Sequence, residues 1–235
     1  MEDECLNKKS YTKVIDYIKK QILIGELKVG EKLPAERELA QILGISRNSV
    51  REAIRSLDIM GMITSHHGAG NYITGNFENN LVESMSMMFL LHQINYEQIS
   101  ELRLGLEMQA LLLAIDNISE EEIDELKDII SKLENDTEEN NVILDKKLHY
   151  NIAYASKNKL IIEILNALSE VMDIFIKDLR KEILSKDESR RLLNDAHNKM
   201  VKSLITKDKV LAFESINKHF NVVDEKLLEM SKKDT

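Results

Sequence analysis

The chain of 235 residues has one cysteine, one proline and no tryptophan. The lone Cys5 cannot close an intramolecular disulfide, which excludes a disulfide scaffold and fits a reducing cytoplasm. One proline and eight glycines leave few obligatory breaks, so long helices are expected. Aromatic residues make up only 5%, so cores must be packed with aliphatic and methionine side chains, and the 43% apolar content suffices for that. Residues 1–20 alternate charge with isolated apolar positions, unlike a signal peptide, and no apolar run is long enough to span a membrane. A cytoplasmic protein without membrane partners is expected, and its length allows two domains.

The net charge of −9 is unevenly placed. Residues 1–75 hold 11 Lys and Arg against 10 Asp and Glu, whereas residues 76–235 hold 21 against 31. Any nucleic-acid contact in the first part must therefore come from a local basic patch and not from a global field.

Such a patch lies within Leu33 to Asn71. Leu39, Ala40, Ile42 and Leu43 recur at helical spacing between Ala35 and Leu43, and Gly44 supplies the left-handed stop. Ser46 then reads as the N-cap of a second helix that buries Val50, Ile54 and Leu57. Its other face carries Arg47, Arg51 and Arg55, four residues apart. A charge stripe alone is usually a solvated face. Helix, glycine turn, serine cap and arginine face together describe a helix-turn-helix that presents the second helix to the major groove. Before it, residues 1–9 read as a lead without structure, and Tyr11–Ile24 as a helix with Val14, Tyr17, Ile18, Ile22 and Leu23 inward. After it, residues 60–64 and 71–74 read as two strands around the turn at His66–Gly70. Gly75-Asn76 reads as the linker, which divides the chain into 1–75 and 76–235.

Leu33-Pro34-Ala35-Glu36-Arg37-Glu38-Leu39-Ala40, followed by Gly44-Ile45-Ser46-Arg47-Asn48-Ser49-Val50-Arg51-Glu52-Ala53, resembles the winged-helix domain of the GntR family of bacterial transcription regulators, over about Tyr11 to Thr74. The resemblance implies that Arg47, Asn48, Ser49 and Arg51, with Arg37 from the preceding helix, face double-stranded operator DNA. It also implies that His67 and Gly68 at the wing tip reach the minor groove. Read from residues alone, that tip is an ordinary hairpin turn.

Residues 76–235 read as about seven helices: 77–91, 96–117, 119 to about 138, 141–156, 160–184, 187–205 and 207–230. Ser119-Glu120-Glu121-Glu122 is a capping box at the start of the third. The fold class expected is mainly α, an N-terminal winged helix-turn-helix joined to a C-terminal all-α bundle. Asp145 and His149 share one helix face, while His197 and His219 lie on the apolar stripes of the last two helices. One carboxylate and three imidazoles without a thiolate suit a divalent Zn, Ni or Mn ion; separately, each His reads equally as a hydrogen-bonded core residue. The helical half resembles the FCD domain of the FadR subfamily in its seven-helix form. At Asp145, His149, His197 and His219 it matches the metal-binding version of that domain. FadR itself looks like the metal-free branch, so acyl-CoA is not implied.

Arg103 sits on the apolar stripe of Ile99, Leu106 and Ala110 and needs a counter-charge there. Glu107, one turn on, is one partner; the carboxylate of a small effector, gripped in the way the resemblance implies, is the other. The main reading is a homodimeric, ligand-responsive regulator of a near-palindromic operator, with no enzymatic activity. It competes with a metal-dependent enzyme, against which no second acid–base group is readable beside the ligands, and with an architectural DNA-binding protein whose helical half only dimerises.

Overall fold

A computed structural model describes the backbone of residues 2–135, 138–185 and 187–231, and the side chains of 11–135, 141–173, 188–226, 228 and 229. Ten helices and one two-stranded sheet form these residues, and the chain divides into two units, Met1–Glu83 and Ser84–Thr235. The class is the one read from the sequence: a winged helix followed by an all-α domain.

In the first unit, α1 spans Glu2–Leu23. It is helical across positions 2–9, where the sequence reading placed an unstructured lead. Glutamate, leucine and lysine in that stretch are good helix formers, and acidic residues at positions 2–4 suit a helix N-terminus. Val14 and Ile18 are fully buried, but Ile22 and Leu23 are exposed, contrary to the stripe read from sequence. The helix ends there, Gly25 turns the chain at φ 80°, and Leu27 enters the core instead.

Helix α2 (Glu36–Leu43) stops at Gly44, which adopts φ 62°. Helix α3 (Arg47–Ile59) starts under Ser46, whose Oγ accepts the Ser49 N–H at 3.1 Å. Val50, Ala53, Ile54 and Leu57 of α3 close onto Val14, Ile18 and Leu39. The strands are β1 (Ile63–His66) and β2 (Gly70–Ile73), antiparallel with Ile63 opposite Ile73. β1 begins later than residue 60 because Gly61 turns the chain at φ 69° after α3, its N–H bonded to the Asp58 carbonyl. The residues before Pro34 also join the wing: Leu33 N–H bonds to Asn71 O, and Ile73 N–H to Glu31 O. These bonds occupy the free edge of β2.

The chain continues through α4 (Glu78–His92), α5 (Tyr96–Asn117), α6 (Glu120–Asn135), α7 (Glu138–Ala155), α8 (Lys159–Ser185), α9 (Asp187–Thr206) and α10 (Lys209–Ser231). The capping box at Ser119 forms in both directions, with Glu122 N–H on Ser119 Oγ and Ser119 N–H on Glu122 Oε2. The expected extension of that helix to 138 covers residues 136–137, outside the described residues, and Glu138 belongs to α7. Helix α5 runs through the middle of the second unit, packing on α7, α8, α9 and α10. Leu111, Ile115, Leu126, Leu148, Met200 and Phe220 form the centre of its core. No helix among the described residues is long and apolar enough to cross a membrane.

Candidate metal centre and nucleic-acid interface

Asp145 and His149 stand one turn apart on α7, His197 on α9 and His219 on α10. Because α5 packs on both α7 and α10, and α9 on α10, these helices bring the four side chains together. One nitrogen or oxygen from each lies within 4.8 Å of the others. Asp145 Oδ1 is 3.4 Å from His197 Nε2 and 3.8 Å from His149 Nε2. The His219 ring centre is 4.7 Å from that of His149 and 4.8 Å from that of His197. Asp145, His197 and His219 are buried. Burial, reinforced by the neighbouring imidazoles of His149 and His197, holds the His219 pKa well below its ordinary value. A neutral imidazole is the form that ligates a metal. His149 Nε2 and His219 Nδ1 are buried without a hydrogen-bond partner, an arrangement that calls for an explanation in a packed interior. A carboxylate with three imidazoles and no thiolate is a donor set that can hold a first-row divalent ion.

Behind His149 lies Glu107 of α5. Its Oε2 is 2.6 Å from His149 Nδ1, while its Oε1 accepts Arg103 Nε at 2.8 Å and lies 2.5 Å from Arg103 Nη2. Burial raises the Glu107 pKa, but the Arg103 guanidinium and the close contact with His149 outweigh it. The carboxyl is thereby held well below the usual range. The Arg103 guanidinium sits 5.4 Å from the centre of the Phe220 ring, whose edge meets His219. Arg103, Glu107 and His149 line one narrow cleft, together with Lys146, Tyr150 and Ser169. Lys146 is itself bound to Asp173 and Glu170. Burial lowers its pKa, but the Asp173 hydrogen bond prevails and keeps it charged.

In the first unit, Arg37, Arg47, Asn48 and Arg51 are exposed, and Ser49 is half-buried against the Ser46 cap. His67 and Gly68 are exposed at the wing tip, Gly68 at φ 75°. Behind the tip, Tyr72 packs against His66 and under Lys32 Nζ.

The structure gathers Asp145, His149, His197 and His219 at one point, and gives Arg103 the Glu107 partner. The sequence reading missed the contact of Glu107 with His149, the place of Lys146 and Tyr150 in the cleft, and the ion pair between Arg51 and Glu36. Helical spacing shows that Glu107 shares a face with Arg103; nothing in one sequence shows which helix that face meets.

Residues 10–73 match the family described as bacterial regulatory proteins, gntR family, and residues 98–222 match the FCD domain. The uncharacterized HTH-type transcriptional regulator YcbG of Bacillus subtilis is 29% identical over 226 residues, covering 96% of this chain and 93% of its own. The HTH-type transcriptional regulator LutR of the same organism is 27% identical, covering 86% and 94%. The solved structure of a GntR protein from Streptococcus agalactiae superposes with a TM-score of 0.64 at 24% identity, covering 92% of this chain and 98% of that one; it shares the fold.

Proposed function

We propose an effector-controlled operator switch on one premise: the chain belongs to the gntR family of bacterial regulatory proteins and carries an FCD effector-binding domain, so it regulates transcription and is not an enzyme. In this reading Asp145, His149, His197 and His219 hold a divalent Zn, Ni or Mn ion. Bound there, the ion supplies a Lewis-acid site for an anionic ligand. The effector is a small carboxylate, such as a hydroxy acid, that enters the cleft shared by Arg103 and His149. Arg103 offers it a donor: Nε and Nη2 are turned to Glu107, so Nη1 remains for an incoming oxygen. The observation that carries the reading is that four buried donors meet at one point and that one of them, His149, lines a cleft together with a buried arginine.

The chain acts as a homodimer on a near-palindromic operator, because one winged helix offers few base contacts and two half-sites supply the specificity. Arg37, Arg47, Asn48, Ser49 and Arg51 face the major groove, and His67 and Gly68 the minor groove. An effector that binds the DNA-competent and DNA-incompetent forms unequally must change operator affinity. Elemental analysis of the full chain, purified without chelator, should find about one ion per chain, and His149→Ala combined with His197→Ala should abolish it. A native protein that neither contains a metal nor takes one up would overturn the metal reading. Operator binding by that same sample tests the DNA reading separately.

A further inference from the structure

We infer that Glu107 is the positioning residue of the metal centre: it fixes the ring of His149 with Nε2 toward Asp145, and shares its carboxylate with the arginine of the effector cleft. This rests on the reading that the four-residue cluster holds a metal.

A histidine ligand must present a lone pair to the ion. A neutral imidazole has one N–H and one lone pair, and a partner on one nitrogen decides which atom is left to bind. His149 Nδ1 lies 2.6 Å from Glu107 Oε2, while Nε2 points to the cluster, 3.8 Å from Asp145 Oδ1. A carboxylate accepts and does not donate, so Glu107 places the proton on Nδ1 and the lone pair on Nε2. This is the minority tautomer of a free imidazole. A carboxylate behind a histidine ligand also raises its basicity, and losing such a partner typically weakens metal binding.

Glu107 could not do this alone. A buried carboxylate without a compensating charge is costly, and the Arg103 guanidinium supplies that charge through Nε and Nη2 on Oε1. The two oxygens of Glu107 are thus divided between two partners, Oε1 holding Arg103 and Oε2 facing His149. Phe220, under Arg103 and against His219, fills the space between the two. Arg103 thereby supports the metal centre through one intervening side chain.

The test compares the full chain with Glu107→Gln and Glu107→Leu, titrating Zn²⁺, Ni²⁺ and Mn²⁺ separately against a competing chelator. Glutamine keeps an acceptor oxygen and the volume but loses the charge; leucine loses both the charge and the acceptor. Metal affinity should fall about 10–100-fold in Glu107→Gln and further in Glu107→Leu, the usual cost of a lost outer partner. A second measurement needs no variant. Nitrogen-15 spectra of the zinc-loaded protein should show the proton of His149 on Nδ1 and Nε2 as the ligating nitrogen. Affinities within about threefold of the unaltered chain in both variants, while His149→Ala loses the metal, would overturn the inference alone, being well short of the usual loss. An Nε2–H tautomer at His149 would do the same, and decides the matter if the variants do not fold. No metal uptake by the unaltered chain would overturn this inference together with the metal reading beneath it.

Discussion

Arg51 in α3 reaches back to Glu36 in α2, with its Nε and Nη2 both 3.3 Å from Glu36 Oε2. The pair lies on the surface, so its own contribution to stability is about 0–1 kcal/mol. Its effect is on orientation. The Nε edge of the guanidinium is turned to the protein, leaving Nη1 and the outer side of Nη2 for a base. Two adjacent donors of this kind match guanine O6 and N7, a contact worth ~1–3 kcal/mol of discrimination. Arg51→Ala should lose specific operator binding while the thermal midpoint stays nearly unchanged. Glu36→Gln should relax base preference without loss of non-specific affinity, since it removes a negative charge from a surface meant for phosphates. Anisotropy titrations on matched and mismatched operators at several salt concentrations measure both. Unchanged operator affinity in Arg51→Ala would remove that residue from the interface.

Much of this architecture was legible in the sequence because its signals are local. Gly44, Ser46 and the Ser119–Glu122 box mark helix ends through groups no more than a few residues apart, and all three behave in the structure as read. The Asp145–His149 pair is legible for the same reason, one helical turn joining them. What escaped was contact between distant elements. Glu107 meets His149 across two helices, and Arg51 meets Glu36 across the turn between α2 and α3. Ile22 and Leu23 failed in the opposite direction: their spacing is right, but the helix carries them beyond the core that Leu27 closes.

Gly61 is expected to be irreplaceable. It sits at φ 69°, and a Cβ there would stand 2.2 Å from the Asn76 carbonyl oxygen. Backbone strain alone costs about 1–3 kcal/mol at such a position, and here a clash with main chain is added. Gly61→Ala should lower the stability of the winged helix and its operator affinity while metal content stays unchanged. Calorimetric unfolding and elemental analysis of the same sample check both halves. A variant with an unaltered thermal profile would show that the turn can rearrange freely.

Acid should weaken the metal-free protein in two steps. His219 is held neutral, its folded pKa well below 6.5, mainly by burial. Below the unfolded value the unfolded chain binds a proton that the folded chain does not, so stability falls as the pH drops through 6.5. Glu107 acts lower. Its folded pKa lies below 4.5, despite burial, because Arg103 and His149 favour the anion. Its contribution is present above 4.5 and is lost as the pH falls from there. Urea midpoints of the metal-free protein should therefore decrease from roughly pH 7 to 5.5 and again below about 4.5. With metal bound the first loss should be steeper, since protons displace the ion from its imidazoles. A midpoint flat across both windows would contradict the assigned protonation states.

Helix α4 should form part of a dimer interface. Phe89 is its one buried large apolar side chain, while Met87, Met88, Leu90 and Leu91 are exposed, Leu91 at 73%. A contiguous apolar face of this kind marks an association surface. Sedimentation at micromolar concentration should give a dimer, and Met88→Glu with Leu91→Glu should shift it toward monomer. A strict monomer, free and on operator DNA, would count against both the dimer and the two-half-site operator.

The effector is expected to carry a carboxylate, and Arg103 decides this. Its Nε and Nη2 are fixed on Glu107, and the residue lines the cleft that also contains His149. An anion held there lies between the guanidinium and the metal cluster, and each side adds charge compensation that an acidic domain otherwise lacks. Calorimetric titration of metal-loaded protein with hydroxy and dicarboxylic acids should find binders, and Arg103→Ala should weaken them by roughly 10-fold or more, the usual worth of one charge-assisted contact at about 1.5–3 kcal/mol. Arg103→Lys should rescue little, because an ammonium cannot hold Glu107 through two nitrogens and offer a third to the ligand. Neutral compounds of the same shape should bind poorly. If every tight ligand proves neutral, Arg103 serves only to balance Glu107, and the signal enters the domain by another route.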